Sequence, residues 1–326
     1  MTTLVSHLRH GALALALLLQ AWAWPVQAAE ADGPAMKVEQ VGPHSYYVQG
    51  LSALGSSKNQ NFISNAGFVV TPESVVVIDA LGSPKLAERL TAEIRKITPL
   101  PISDVILTHY HADHIYGLQF FKALGARITA HVAAKEYMQS DTARLRLQAS
   151  RTDLAPWIDD KTELVAADTW IDGPTSLKIG GMLFELDHVG PSHTPEDLTI
   201  YVPSERVLFA GDLFFNGRLP FVGKANSSQW IKSLELMLAH DSAAVVLGHG
   251  SASTDPKKTS ASPATTSSSC EAPWERRCKT SPRSKKPTNR PTVKSSNTCP
   301  CSASPHERLQ HLPVDGSQVE APENKR

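Results

Sequence analysis

Four side chains able to bind a metal ion fall within six residues: His109, His111, Asp113 and His114, in the stretch Thr108-His109-Tyr110-His111-Ala112-Asp113-His114. Imidazole and carboxylate together form a donor set that suits zinc, and also iron or manganese. His109 and His111 are two apart and can converge on one ion. Asp113 and His114, after the backbone turns, can face a second. A lone histidine reads by default as a polar loop residue. A compact His-x-His-x-Asp-His cluster directly after the apolar run Val105-Ile106-Leu107 reads instead as a metal site where a buried strand passes into a loop.

Elements of two periodicities must position that cluster. Val38 to Val41 and Tyr46 to Val48 read as strands around Gly42-Pro43, and Phe62-Ile63 with Gly67 to Val70 continues the sheet. Leu51 to Asn61, rich in Gly, Ser and Asn, is either a mobile flap over a site or a loose hairpin end. Val75-Val76-Val77-Ile78 is the continuous apolar run of a strand buried on both faces, and it ends in Asp79. That carboxylate either caps the turn at Gly82 or supports the histidine loop from behind. Pro84 opens a helix with Leu86, Leu90, Ile94 and Ile97 at helical spacing. A second helix is expected over Ile115 to Leu124, closed by Gly125, then a short strand over Ile128 to Ala130. Residues 131–170 favour helix, from residues such as Tyr137, Met138, Leu145 and Leu147, with the Met and Leu positions filling core rather than forming a cofactor box. This alternation argues for a layered α/β architecture.

The second half is strand-rich, with Leu177 to Ile179, Met182 to Val189, Leu198 to Val202 and Val207 to Ala210. Three further metal-binding residues, His193, Asp212 and His249, each follow an apolar run and lie in or beside a glycine-containing turn. With the first cluster they make seven ligands from four strand ends, enough for two ions sharing one carboxylate.

In this order, His109-x-His111-x-Asp113-His114, His193, Asp212 and His249 resemble the metallo-β-lactamase superfamily of metal-dependent hydrolases, and Asp79 matches its strand-end aspartate. The resemblance covers roughly residues 37–250. It implies a four-layer αββα sandwich with the metals at one edge. It also implies that His109, His111 and His193 hold the first metal, Asp113, His114 and His249 the second, and that Asp212 bridges them. The implied cofactor is two Zn2+ per chain, with Fe or Mn as substitutes. The implied function is a dinuclear zinc-dependent hydrolase in which metal-bound hydroxide attacks an ester, thioester or lactam carbonyl. Asp113 would both ligate and orient that hydroxide. No serine or cysteine nucleophile is required, and Ser192 reads as a small residue that lets its loop turn.

The subfamily divides the motifs. His193-Thr194-Pro195-Glu196-Asp197 through Val207-Leu208-Phe209-Ala210-Gly211 looks like true class B β-lactamases. Asp212, where the best-known of those carry cysteine or serine, looks like glyoxalase II-like thioesterases and many other members. Asn61-Phe62-Ile63-Ser64-Asn65-Ala66-Gly67-Phe68 looks like exported members associated with sulfur oxidation and quinoprotein systems. The alternatives are therefore a class B β-lactamase proper, an iron-dependent sulfur dioxygenase using one metal, and a non-catalytic metal-binding accessory protein. Arg218 or Lys224 is either a grip for a substrate carboxylate or a solvated surface charge.

Composition bounds the rest. The 326 residues are 41% hydrophobic with zero net charge, and they show no uniform basic surface for nucleic acid. Arg9 and His10, then the apolar run Gly11 to Leu19, Pro25 and the small residues Ala28-Ala29 read as an export signal over residues 1–29, which places the mature chain in the periplasm or outside the cell. No stable membrane association is expected after its removal, and the partner is a small-molecule substrate. The metal-binding domain then spans 30–250. Residues 251–326 hold 10 of the 23 prolines, all four cysteines and five residues from Leu, Ile, Val and Phe, too few to bury a core. Cys270, Cys278, Cys299 and Cys301 lack a zinc-ribbon spacing. A low-complexity, disordered tail is expected there. The resembling family continues after its last histidine with helix, and a frameshift in the gene would account for the change.

Overall fold

The computed structural model describes residues 33–223 and 225–255. Residues 1–29, expected as an export signal, Lys224, the four cysteines and nearly all of the expected tail lie outside them.

Two mixed sheets pack face to face with helices outside. The first is ordered β1 (Val38–Gln40), β2 (Ser45–Val48), β3 (Ala66–Val70), β4 (Val75–Ile78), β5 (Ile102–Ile106), β6 (Arg127–His131) and β7 (Thr169–Ile171). It is antiparallel up to β4 and parallel from β4 to β7. The second sheet runs β12 (Ala244–His249), β11 (Val207–Phe215), β10 (Leu198–Val202), β9 (Met182–His188) and β8 (Thr175–Ile179), with only β11–β12 parallel. Parallel neighbours need crossovers, supplied by α1 (Pro84–Ile97) between β4 and β5 and α6 (Ser227–Ala239) between β11 and β12.

The apolar runs explain the layering. Val75 and Val77 of β4 pack against Leu86, Leu90 and Ile94 of α1, while Val76 and Ile78 face the other way, toward Phe184, Ile200 and Phe209 of the second sheet. The second sheet repeats the alternation. Phe209 and Val246 point between the sheets, whereas Leu208, Ala210, Val245 and Leu247 meet Trp230, Leu234 and Met237 of α6. A strand buried on both faces has no polar alternation to show, which is why these segments read as unbroken hydrophobic runs. The four-layer αββα sandwich expected from the resemblance is the observed architecture.

Local chemistry sets the element ends. Ser83 caps α1 by accepting the Leu86 N–H, with Pro84 in its first turn, as its position in the sequence suggests. Ile97, expected on the apolar face, is 41% exposed at the helix end. The helix expected over 115–124 is two short ones, α2 (Ala112–Ile115) and α3 (Leu118–Ala123), separated at Gly117. A Cβ on Gly117 would overlap the Ala80 carbonyl, so the chain breaks where it crosses the end of β4. Leu145, expected as core, is exposed, as is Leu124 just past the end of α3. Phe62-Ile63 is not a strand, because Gln60 and Asn61 before it adopt left-handed backbone and turn the chain. Within 131–170, helix covers α4 (Ala134–Met138) and α5 (Asp141–Asp153), and β7 follows the irregular residues 154–168. Among the described residues no helix is long and apolar enough to cross a membrane.

Candidate metal centre

All seven sequence-predicted ligands arrive at one edge of the sandwich. His109 follows the end of β5, His111 precedes α2, and Asp113 and His114 lie within it. The cluster expected as loop is thus partly a single helical turn, which swings Asp113 and His114 away from His109 and His111. His193 comes from the loop after β9, Asp212 from β11 and His249 from the end of β12. Gly211, at φ +54, sits where the β11–β12 register shifts, and this irregularity re-aims Asp212 into the site. Gly248 faces Asp212 so closely that a Cβ there would overlap the Asp212 Oδ1.

The donors form two groups: His109, His111, His193 and Asp212 in one, Asp113, His114 and His249 in the other. In the first, His193 Nε2 is 3.0 Å from His111 Nδ1 and 3.2 Å from Asp212 Oδ2, and His109 Nε2 is 3.6 Å from the same oxygen. In the second, Asp113 Oδ2 lies 3.4 Å from His249 Nε2 and 3.7 Å from His114 Nε2. Asp212 also reaches the second group, at 3.3 Å to His249 Nε2 and 3.2 Å to His114 Nε2. Ligands bound at about 2.0–2.1 Å in tetrahedral geometry stand about 3.3 Å apart, which is the spacing seen here. His109 Nε2, His114 Nε2 and Asp212 Oδ1 are buried without a hydrogen-bond partner, although His114 and Asp212 are close. Buried polar atoms are normally satisfied, so atoms left bare at ligand spacing fit a metal ion.

The opposite ring nitrogens explain which atoms are bare. Asp79, 3% exposed at φ +62, accepts the Thr108 N–H and hydroxyl at 2.8 Å each and the His114 Nδ1–H at 2.9 Å. The Thr108 hydroxyl, having given its proton to Asp79, accepts from His109 Nδ1 at 3.0 Å. His249 Nδ1 donates to the Ile63 carbonyl at 2.7 Å. Each of these bonds places a proton on Nδ1 and leaves Nε2 facing the site, the nitrogen through which each ring would bind a metal. Asp79 therefore holds the histidine loop, and the Gly82 carbonyl is bonded by Asn61 instead.

Burial acts on the charges. It pushes His109 well below the ordinary histidine range, reinforced by His114, and takes His111 down to about 3, reinforced by His193. Both are neutral bases, the form a metal binds. Burial opposes ionisation of Asp113 and Asp212, yet His114 and His249 hold Asp113 below its usual value, and His249, His114 and His109 hold Asp212 far below. The same pairing raises His114 and His193 against their burial.

Several contributors had no clear signal in the sequence. Thr108 is one, although a hydroxyl directly after an apolar strand hinted at it. Another is α6, whose Trp230 donates to the Leu213 carbonyl at 2.8 Å and packs against His193 at 5.4 Å between ring centroids. Arg218 comes within 3.4 Å of both the Ala53 carbonyl and the His249 ring, so it stands at the mouth of the site beside the 51–61 segment. Ser192 is buried, donates to the Val189 carbonyl and contacts Ser233, as befits a turn residue.

Glu196, beside the histidine loop, accepts the Tyr110 N–H at 3.2 Å and is pushed up to about 7 by burial and by Asp197. A carboxyl raised above its unfolded value costs nothing while both states are protonated. The cost accrues as pH rises from the unfolded value to 7 and then levels off, at about 3 kcal/mol as an upper limit. In metal-free protein, Glu196→Gln keeps the acceptor and removes this cost. Urea melts are expected to show it about 1–3 kcal/mol more stable than the parent at pH 8, with the gain shrinking toward pH 5.

Comparison with known proteins agrees with this geometry. The family model described as "Metallo-beta-lactamase superfamily" matches residues 60–249. A "Metallo-beta-lactamase type 2" of Elizabethkingia meningoseptica is 26% identical over 206 residues, 62% of this chain and 73% of that protein. A "Linear primary-alkylsulfatase" of a Pseudomonas strain is 24% identical over 225 residues, 56% of this chain and 40% of that one. Among solved structures, a metallo-beta-lactamase from Pontibacter korlensis superposes with a TM-score of 0.52 at 20% identity, covering 67% of this chain and 93% of its own, which shows a shared fold. With the matched region spanning more than half of the sequence and containing every residue of both donor groups, the chain belongs to the metallo-beta-lactamase superfamily of metal-dependent hydrolases.

Proposed function

We propose that the chain is a hydrolase working with two divalent ions, zinc by its donor set, that cleaves an ester, thioester or lactam. His109, His111 and His193 would hold one ion, Asp113, His114 and His249 the other, with Asp212 between them. The observation that carries this reading is the Asp212 carboxylate, which lies 3.2–3.6 Å from ring nitrogens of both groups. When bound, such a pair of ions lowers the pKa of a shared water toward neutrality and polarises the bond to be cleaved.

The chain's own residues do the rest. Asp113 keeps 16% of its side chain exposed where the ligands paired with it keep 0–4%. It is therefore the ligand placed to accept a hydrogen bond from the attacking water and to take up its proton. Arg218 at the mouth supplies a cation suited to an anionic group on the substrate. That feature, with the alkylsulfatase among the relatives, makes a sulfate ester the second reading.

Metal analysis of the purified protein, followed by assays with a β-lactam, a glutathione thioester, a carboxylic ester and a primary alkyl sulfate, tests both. Two zinc ions per chain and turnover of one carbonyl substrate are expected. One iron per chain would favour the sulfur dioxygenase alternative. Two ions with no turnover of any substrate would favour the accessory protein. Residues 1–29 fit an export signal, so a mature N-terminus near Glu30 is expected from N-terminal sequencing of exported material.

A further inference from the structure

Three consecutive residues, Ile63, Ser64 and Asn65, touch the second donor group from outside. The Ile63 carbonyl accepts the His249 Nδ1–H at 2.7 Å, and the Ser64 hydroxyl donates to the Asp113 carbonyl at 2.5 Å. Asn65, 2% exposed, uses its whole amide. Its Nδ2 donates to the Leu247 and Gly250 carbonyls at 2.8 and 2.7 Å, on either side of His249, and its Oδ1 accepts the Gly50 N–H at 3.0 Å. The Asn65 N–H donates to the Gly248 carbonyl at 2.8 Å. Two of the three residues in the second group are thus held by one short segment, and the third, His114, is held by Asp79.

The first group is anchored elsewhere. Thr108 orients His109, and the loop carrying His193 is closed by Thr194, which donates to Asp197 through both its N–H and its hydroxyl. The two halves share Asp79, which bonds both Thr108 and His114, but the 63–65 segment bonds only to the side of the second group, at Asp113, His249 and the carbonyls beside His249. Gly50 also begins the segment that reaches Ala53 and Arg218, so the same asparagine ties the rim of the site to the end of β12.

We propose that residues 63–65 are a strap that sets the affinity of the second metal position, Asp113–His114–His249, independently of the first, with Asn65 as its main positioning residue. The proposal rests on the two-ion reading above. A misplaced His249 ring and Asp113 backbone would leave the second position with one well-aimed ligand, while His109, His111, His193 and Asp212 keep theirs. Losing an outer hydrogen bond to a metal-binding side chain commonly weakens affinity by about 10–100-fold.

The test is zinc competition against a chromophoric chelator for the parent, Asn65→Ala and Ser64→Ala, with melting of each metal-free protein as the control for folding. In Asn65→Ala one zinc is expected to weaken by about 10–100-fold and the other to stay within about twofold, with ring 15N shifts locating the loss at His249 rather than His109. Equal weakening of both ions, or of neither, would overturn the strap. Should Asn65→Ala fail to fold, Ser64→Ala, which removes a single hydroxyl, decides by the same criterion. A parent that binds only one zinc would instead defeat the two-ion reading. The strap is then judged in the metal-free protein, where the His249 ring should carry its proton on Nδ1 in the parent and lose that preference in Asn65→Ala; an unchanged ring would overturn it.

Discussion

Asp113→Asn is expected to lower kcat by about 10²–10⁴-fold with far less change in KM. The substitution keeps the shape of the side chain and an oxygen facing His249 and His114, but its amide cannot take a proton. Asp113 is the one carboxylate of the pair that retains a solvent-facing surface, whereas Asp212 is enclosed by four histidines. Steady-state kinetics on protein whose zinc content has been measured separates the two ways activity can be lost. A variant that still carries two ions yet turns over slowly supports proton transfer by Asp113. A variant that recovers full activity once the second ion is restored would assign Asp113 to ligation alone.

Asp79→Ala is expected to be the most destabilising single change near the site, at about 3–5 kcal/mol. Its carboxylate satisfies three buried donors at once: the Thr108 N–H, the Thr108 hydroxyl and His114 Nδ1. Removing it orphans a backbone group, frees the hydroxyl that orients His109, and releases the His114 ring. Alanine would also have to adopt φ +62, a conformation that costs a residue with a Cβ roughly 1–2 kcal/mol. Asp79→Asn suits that backbone better and retains one acceptor, so it should recover part of the stability but not the anchoring of His114. Urea unfolding of the metal-free proteins gives the stability order, and chelator competition gives the accompanying loss of zinc affinity.

The legible parts of this protein are those whose physics is local. Val75 to Ile78 announced a strand buried on both faces, because two covered faces demand apolar residues at every position, and Val207 to Ala210 announced a strand that the structure extends to Phe215. Pro84 announced a helix start, because its fixed φ and missing N–H suit the first turn alone. The errors are equally physical. Leu145 had the right type for core, yet it lies on the exposed face of α5. Phe62-Ile63 was diverted by the left-handed residues before it, which neither Gln60 nor Asn61 demanded by type.

The metal-binding chemistry divides along the same line. Sequence alone determined the donor types and their order, because ligand chemistry belongs to the side chain, whereas Asp212, expected past a strand ending at Ala210, lies within the longer β11, and Asp113 and His114 lie in a helical turn. The meeting of His193, Asp212 and His249 with His109 and Asp113 was decided by the stacking of two sheets whose pairings join residues far apart in the chain. The proton positions of His109, His114 and His249 were decided by Thr108, Asp79 and the Ile63 carbonyl. A carbonyl has no residue type to betray it, so only the folded chain could show that the segment around Ile63 holds the second half of the centre.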